Sequence, residues 1–210
     1  MLIGNNDEVS THRNTPWIPW LAGFLAFVVT LGVGVMVLAD WSLRTAEMSI
    51  VMARVELSED AMATAVKEID AAFEGHSQAD ATPEERSAFS TELKEIAERG
   101  RDAIAVEGAN VATTPYMSWH TSIERAIDVY LAHNLAWQAY LDAASQDPGE
   151  LLRPQPLVDS TFFDAELPLA QAIPFPDVLD LESRLAQIYA PPALDPSQMQ
   201  QAHVLHTNGH

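Results

Sequence analysis

The sequence predicts an all-α protein: one N-terminal transmembrane helix, then an acidic antiparallel helical bundle of three long helices plus one short, with a Pro-rich extended segment before the short helix. Three observations predict it. From Trp20 to Ala39 there are 20 consecutive residues without a charge. Beyond Trp41, apolar residues recur at four-three spacing, and no alternating strand pattern competes with them. Lys and Arg number 11 against 30 Asp and Glu among 210 residues, a formal net charge of −19.

The charge and composition exclude several function classes. A chain this acidic has no basic face with which to neutralise phosphates, so nucleic acid is excluded as a partner. There is no cysteine, which removes disulfides, thiolate metal sites, a cysteine nucleophile and lipidated cysteines. An apolar content of 48% is too high for a wholly disordered acidic chain.

Residues 1–16 read as a short N-terminal tail, and 17–41 as the membrane anchor. At about 1.5 Å per residue, the uncharged run spans about 30 Å as a helix, the thickness of the hydrocarbon core. Trp17 and Trp20 mark one end and Trp41 the other, as interfacial anchors. Pro16 and Pro19 fall where the helix begins and a missing N–H is tolerated. Val37 and Ala39 before Asp40 resemble a signal-peptidase site, but the apolar run is longer than a signal core and the indole belt has no role in a discarded peptide. The expectation is therefore a retained single-pass signal anchor in a cell membrane, with the C-terminal domain on the extracytoplasmic, periplasmic side. Ala22, Ala26, Thr30 and Gly34 recur every four residues, a spacing that lets another helix backbone approach in the membrane.

Residues 42–146 read as the helical bundle exodomain. Met48, Met52, Val55, Met62, Val66, Ile69 and Phe73 form the first stripe, with Glu59 at the seam position that breaks it. Ser58 could cap a new helix there. Thr82-Pro83-Glu84-Glu85 is a capping box with Pro at the first helical position. The helix it starts carries Phe89, Leu93, Ile96 and Ile104 and is expected to end near Gly108. Thr114-Pro115 is expected to start the third, with Trp119, Ile123, Ile127, Tyr130, Trp137 and Leu141 on its apolar face and a stop at Asp147-Pro148-Gly149. Residues 147–176 hold six prolines among aromatic residues and read as an extended segment lying on the bundle or a partner. Residues 177–190 read as a short helix with Val178, Leu181, Leu185 and Ile188 on one face, and 191–210 as a mobile tail.

Candidate chemistry is sparse. His203, His206 and His210 are spaced to share a metal, but they lie in a terminal tail with no carboxylate nearby, so no metal and no cofactor is expected. His120 is placed to pair with Glu124 four residues on, and His133 reads as a packed residue satisfied by one hydrogen bond, with heme or metal ligation as the competing reading. Met48, Met52 and Met62 belong to the core stripe. No hydrolase, zinc-protease, phosphate-loop or dinucleotide motif occurs, and the chain is not expected to be an enzyme. Arg outnumbers Lys nine to two, as in GC-rich bacterial genomes.

The layout is similar to that of accessory subunits of bacterial envelope and respiratory complexes. The expected function is a non-catalytic accessory subunit of a larger membrane complex, reached through the anchor and the Pro-rich segment. It would stabilise assembly or offer an acidic docking face to a basic soluble partner such as an electron carrier. The alternative is a stand-alone membrane-anchored envelope binding or sensing protein.

Overall fold

The computed structural model describes residues 17–76, 81–152 and 156–188. These form helices and turns, with no strand among the described residues. The chain divides into two units, Met1–Asp40 and Trp41–His210. Helix α1 (Trp17–Gly75) contributes to both.

In the first unit every described side chain from Trp17 to Ala39 is exposed. A run of Leu, Val, Ala, Phe and Gly without a charged residue has no polar face to present to water. In a bilayer, a helix is the form that satisfies every backbone group within the segment. Pro19 lies in the first turn, where the backbone N–H has no helical acceptor. The helix is long and apolar enough to cross a membrane.

The second unit is a bundle. The remaining elements are α2 (Pro83–Ala112), α3 (Thr121–Gln146), a 3₁₀ turn (Pro148–Leu152), α4 (Pro156–Ala170), a second 3₁₀ turn (Pro176–Leu179) and α5 (Leu181–Ile188). Cross-helix pairs fix their directions. Arg54 reaches Thr114 and Glu68 reaches Arg99, so α2 runs against α1. Glu47 meets His120 and Glu59 meets Tyr130, so α3 runs with α1. Thr161 meets His133 and Ala172 meets Ser122, so α4 runs against α3. The order is up, down, up, down.

The capping box forms as the sequence predicts. The Glu85 N–H donates to Thr82 Oγ1 (3.2 Å) and the Thr82 N–H donates to Glu85 Oε2 (2.7 Å). Phe89, Leu93, Ile96 and Ile104 are buried, as are all the α1 stripe residues from Met48 to Ile69.

Five local expectations are corrected. Residues 156–170 are helical, not extended. Pro156 occupies the first turn of α4, where its missing N–H is harmless, and Pro168 lies in the last turn. Phe162, Ala165 and Leu169 recur at three-four spacing and are buried, Phe162 against His133 of α3 and the other two in a cluster shared with α1 and α3, which decides the conformation. Helix α1 does not break at Ser58, because that side chain is fully buried and accepts from Asn134 Nδ2 (2.9 Å) instead of capping. Helix α2 runs past Gly108 to Ala112. Gly108 stays within it because a side chain there would run into the Asn134 carboxamide. Helix α3 starts at Thr121, not at Thr114-Pro115, and Trp119 lies before it, exposed; Val178 likewise points outward.

Two apolar clusters fill the bundle. One gathers Met48, Met52, Val55, Ile123, Ile127, Tyr130, Leu169, Leu181 and Leu185. The other gathers Met62, Ile69, Phe89, Ile96, Ile104, Trp137 and Leu141. At roughly 1.5–3 kcal/mol for each fully buried large side chain, these clusters supply the main drive for folding.

Candidate functional site

A layer of buried polar side chains separates the two clusters. On α1 it comprises Ser58 and Glu59, and on α3 Tyr130, His133 and Asn134, all buried. The Tyr130 hydroxyl donates to Glu59 Oε1 (2.9 Å). Asn134 Nδ2 donates to Ser58 Oγ and to the Ile104 carbonyl (3.1 Å), which ties α3 to α1 and α2 together. Gln138 Nε2 donates to Asn134 Oδ1 (2.6 Å), completing the carboxamide's partners. His133 Nδ1 pairs with Thr161 Oγ1 on α4 (3.1 Å). Its Nε2 makes no hydrogen bond and faces Glu59 Oε1 at 3.4 Å. The ring stands against Tyr130 and, edge to face, against Phe162. Burial pushes the Tyr130 hydroxyl well above the usual phenol range, and the neighbouring Glu59 carboxyl adds to the shift.

A second buried pair lies toward the Trp41 end. Glu47 on α1 accepts from the Met117 N–H through Oε1 (2.9 Å) and meets His120 Nδ1 through Oε2 (2.5 Å). His120 is completely buried. Glu47 and Glu59 are twelve residues apart on one helix, about 18 Å along its axis. His120 therefore pairs with Glu47 and not, as its spacing suggested, with Glu124. A residue at the N-cap of α3 turns its side chain toward the neighbouring helix before the i, i+4 geometry of a helix surface exists.

The sequence singled out Glu59 and His133, and the structure brings them together. It gave no place to Ser58 as a core acceptor, to Asn134, to Thr161 or to Glu47. Asn134 left a signal: it occupies the gap in the α3 stripe between Tyr130 and Trp137, as Glu59 does in α1. Two polar residues at seam positions of two stripes can meet and fix register. His203, His206 and His210 lie outside the described residues.

The remaining sequence-predicted residues lie in or beside the apolar helix. Ala22, Ala26, Thr30 and Gly34 are exposed, and a side-chain carbon added at Gly34 would meet nothing within 4 Å. Trp17 and Trp20 are exposed. Trp41 is half-buried, and its indole N–H donates to the Pro174 carbonyl (3.2 Å).

Toward the far end of the bundle, a cleft of about 320 Å³ opens between α1 and α2, lined by Glu68, His76, Glu92 and Arg99 among others. Neither buried His–Glu pair lines it. Among the described residues no group of three or more His, Cys, Asp or Glu side chains is placed to hold a metal. The arrangement holds polar pairs in fixed register within an apolar interior. No protein-family model, curated protein or solved structure matches the chain.

Proposed function

We propose that the protein is a non-catalytic single-pass subunit of a larger bacterial membrane complex, of the envelope or respiratory kind. Its bundle stands on the extracytoplasmic side. The observation that carries this reading is the exposure of the apolar helix on every face: no described side chain from Trp17 to Ala39 is covered by the chain itself. Lipid covers such a surface, and the Ala22, Ala26, Thr30 and Gly34 stripe offers a line along which a partner helix approaches closely. Most polar groups of the bundle interior are turned on one another, which suits a scaffold better than an active site. The excess of acid on the first two helices and the C-terminal third supplies a docking face for a basic soluble partner, whose binding weakens as salt rises.

The test is affinity purification of the full-length protein from native membranes in mild detergent, with mass spectrometry of what accompanies it. Stoichiometric large membrane subunits are the expected result. A lone monomer at every detergent concentration would overturn the reading, and recovery as a homodimer would move it to the stand-alone binding or sensing protein.

A further inference from the structure

The Trp41 end of the bundle carries exposed large apolar side chains on segments distant in sequence. Trp41 follows the uncharged run by a single residue, Asp40. Its indole N–H holds the Pro174 carbonyl, and so sets Phe175 and the turn Pro176–Leu179 at the level of Trp41. Glu47, six residues on and thus about 9 Å further along the axis, holds the Met117 N–H and His120. Trp119 therefore sits within two turns of the same level. Phe175 is 72% exposed, Trp119 59% and Val178 54%.

Single exposed apolar residues need no explanation. These three differ in two respects. First, they share one end, the end at which the chain leaves its membrane-length run. Second, Phe175 has a left-handed backbone (φ 62°), as has Asp180 after it (φ 50°). That region disfavours a bulky residue. The Trp41–Pro174 hydrogen bond and the following Pro176 hold a strained turn whose effect is to direct a phenyl ring outward. In water, both the strain and the exposure oppose folding. In a headgroup layer, the exposure becomes favourable, since aromatic side chains partition there.

We infer that the Trp41 end of the bundle rests in the lipid headgroup layer of the bilayer that the anchor crosses, through Phe175, Val178 and Trp119. The inference rests on reading 17–41 as a membrane anchor. The contact is apolar: with a net charge of −19, the chain gains nothing from anionic headgroups. It positions the bundle by a second attachment besides the anchor helix.

The absence of cysteine makes the test direct. Full-length Phe175→Cys and Val178→Cys variants, each carrying a nitroxide, are reconstituted in phosphatidylcholine vesicles. Their accessibility to oxygen is compared with that to a water-soluble nickel chelate. Val106→Cys and Leu135→Cys, exposed positions near the polar layer, give the aqueous baseline, and Leu31→Cys reports on the anchor. All four bundle positions are surface sites, so the substitutions leave the core intact, and thermal melting confirms folding of each variant.

The expected result is an oxygen-to-nickel ratio several-fold above the baseline at 175 and 178, with a higher ratio still at 31. Ratios at 175 and 178 equal to the baseline, with Leu31→Cys in lipid, overturn the headgroup contact and leave the anchor standing. An aqueous signal at 31 overturns both.

Discussion

In the half of the bundle that contains Met48, α1, α3, α4 and α5 meet with the last turn of α2, and long-range side-chain hydrogen bonds lace them together. In the half that contains Met62, the three long helices meet with the first 3₁₀ turn, and the polar links lie at or near the surface. The first half has Glu47 with Met117 and His120, Ser122 Oγ donating to the Ala172 carbonyl (2.6 Å), and Arg184 with Glu56. Arg54 also binds the Asn110 carbonyl and Thr114. The second half has Arg99 with Glu68 and His76 with Glu92, all four side chains 40% or more exposed. Exposed pairs contribute about 0–1 kcal/mol each, whereas buried charge-capable pairs become expensive when one partner is lost. The difference teaches that the second half is specified mainly by apolar spacing, with the part-buried ion pair Arg101–Asp142 beside it. The first half needs directional bonds, because there the helices must also hold the connecting segments 113–120 and 171–180.

The sharpest way to break the comparison is to remove one buried acceptor and one exposed one. Glu47→Ala removes the acceptor of both the Met117 N–H and His120 Nδ1 inside an apolar setting. Its expected cost is about 3–5 kcal/mol, read as a lowered denaturant midpoint of the full-length protein in detergent. Glu68→Ala, which ends the exposed pair with Arg99, costs less than about 1 kcal/mol by the same measurement. Equal losses would show that the two halves are held in the same way.

A second comparison tests whether α4 belongs to the core or merely wraps it. Leu169 on α4 and Leu141 on α3 are both fully buried, one in each cluster. Leu169→Ala and Leu141→Ala should each cost about 2–5 kcal/mol, since each leaves a cavity in a packed interior. A cost under about 1 kcal/mol for Leu169→Ala alone would mean that α4 yields and that the Met48 half is effectively a three-helix structure.

The same division governs what could be read from the chain. The Met62 half was legible. Its α1 and α2 stripes, its capping box and the burial of Ile104 and Leu141 follow from local spacing, and local spacing is what sequence shows. The Met48 half was legible only on α1 and in the middle of α3. Six prolines among 147–176 outweighed the three-four spacing of Phe162, Ala165 and Leu169, although Pro156 stands in the first turn of α4, where a helix tolerates it, and Pro168 alone lies inside the helix, where it costs one backbone hydrogen bond that burial of this face offsets. The polar layer was half visible, through Glu59 and the gap at Asn134, because a seam interruption marks a position without naming its partner. Glu47–His120 was invisible: 73 residues separate the two, and only the packing of α3 along α1 joins them.

The polar layer supplies the third prediction. Tyr130 donates to Glu59, and Tyr130→Phe removes that donor at an expected cost of about 1–3 kcal/mol near neutral pH. The Tyr130 hydroxyl is held protonated well above the usual range, first by burial and then by Glu59. Burial likewise raises Tyr140, in the other half, with Asp70 and Glu150 adding to the effect. A raised phenol contributes stability that is complete below the unfolded value of about 10 and is lost as pH rises above it, at roughly 1.4 kcal/mol per pH unit for each such group. Stability should therefore fall steeply above about pH 10. In Tyr130→Phe the fall should be shallower, with the remainder traced to Tyr140 and Tyr116, whose hydroxyl is also raised by burial. An unchanged slope would show that Tyr130 ionises as readily folded as unfolded.

The smallest effect belongs to the α2 N-terminus, in the Met62 half. Glu85 is held below the usual carboxyl range, first by the Thr82 N–H and then by the Thr82 hydroxyl, with desolvation opposing both. A lowered carboxyl contributes stability that is present above the unfolded value of about 4.5 and is lost as pH falls through the folded value. Glu85→Gln should therefore lower the denaturant midpoint slightly at neutral pH, by a deficit that shrinks as pH falls through the folded value and the wild-type side chain becomes neutral. Thr82→Ala keeps the backbone donor but removes the hydroxyl acceptor of the Glu85 N–H. That bond does not titrate, so most of the loss of about 1 kcal/mol should persist when Glu85 is protonated, and only the part by which the hydroxyl favours the carboxylate should fade. If the Glu85→Gln deficit does not shrink as pH falls, the carboxyl acts through its shape and hydrogen bonding, and its charge at the head of α2 contributes nothing.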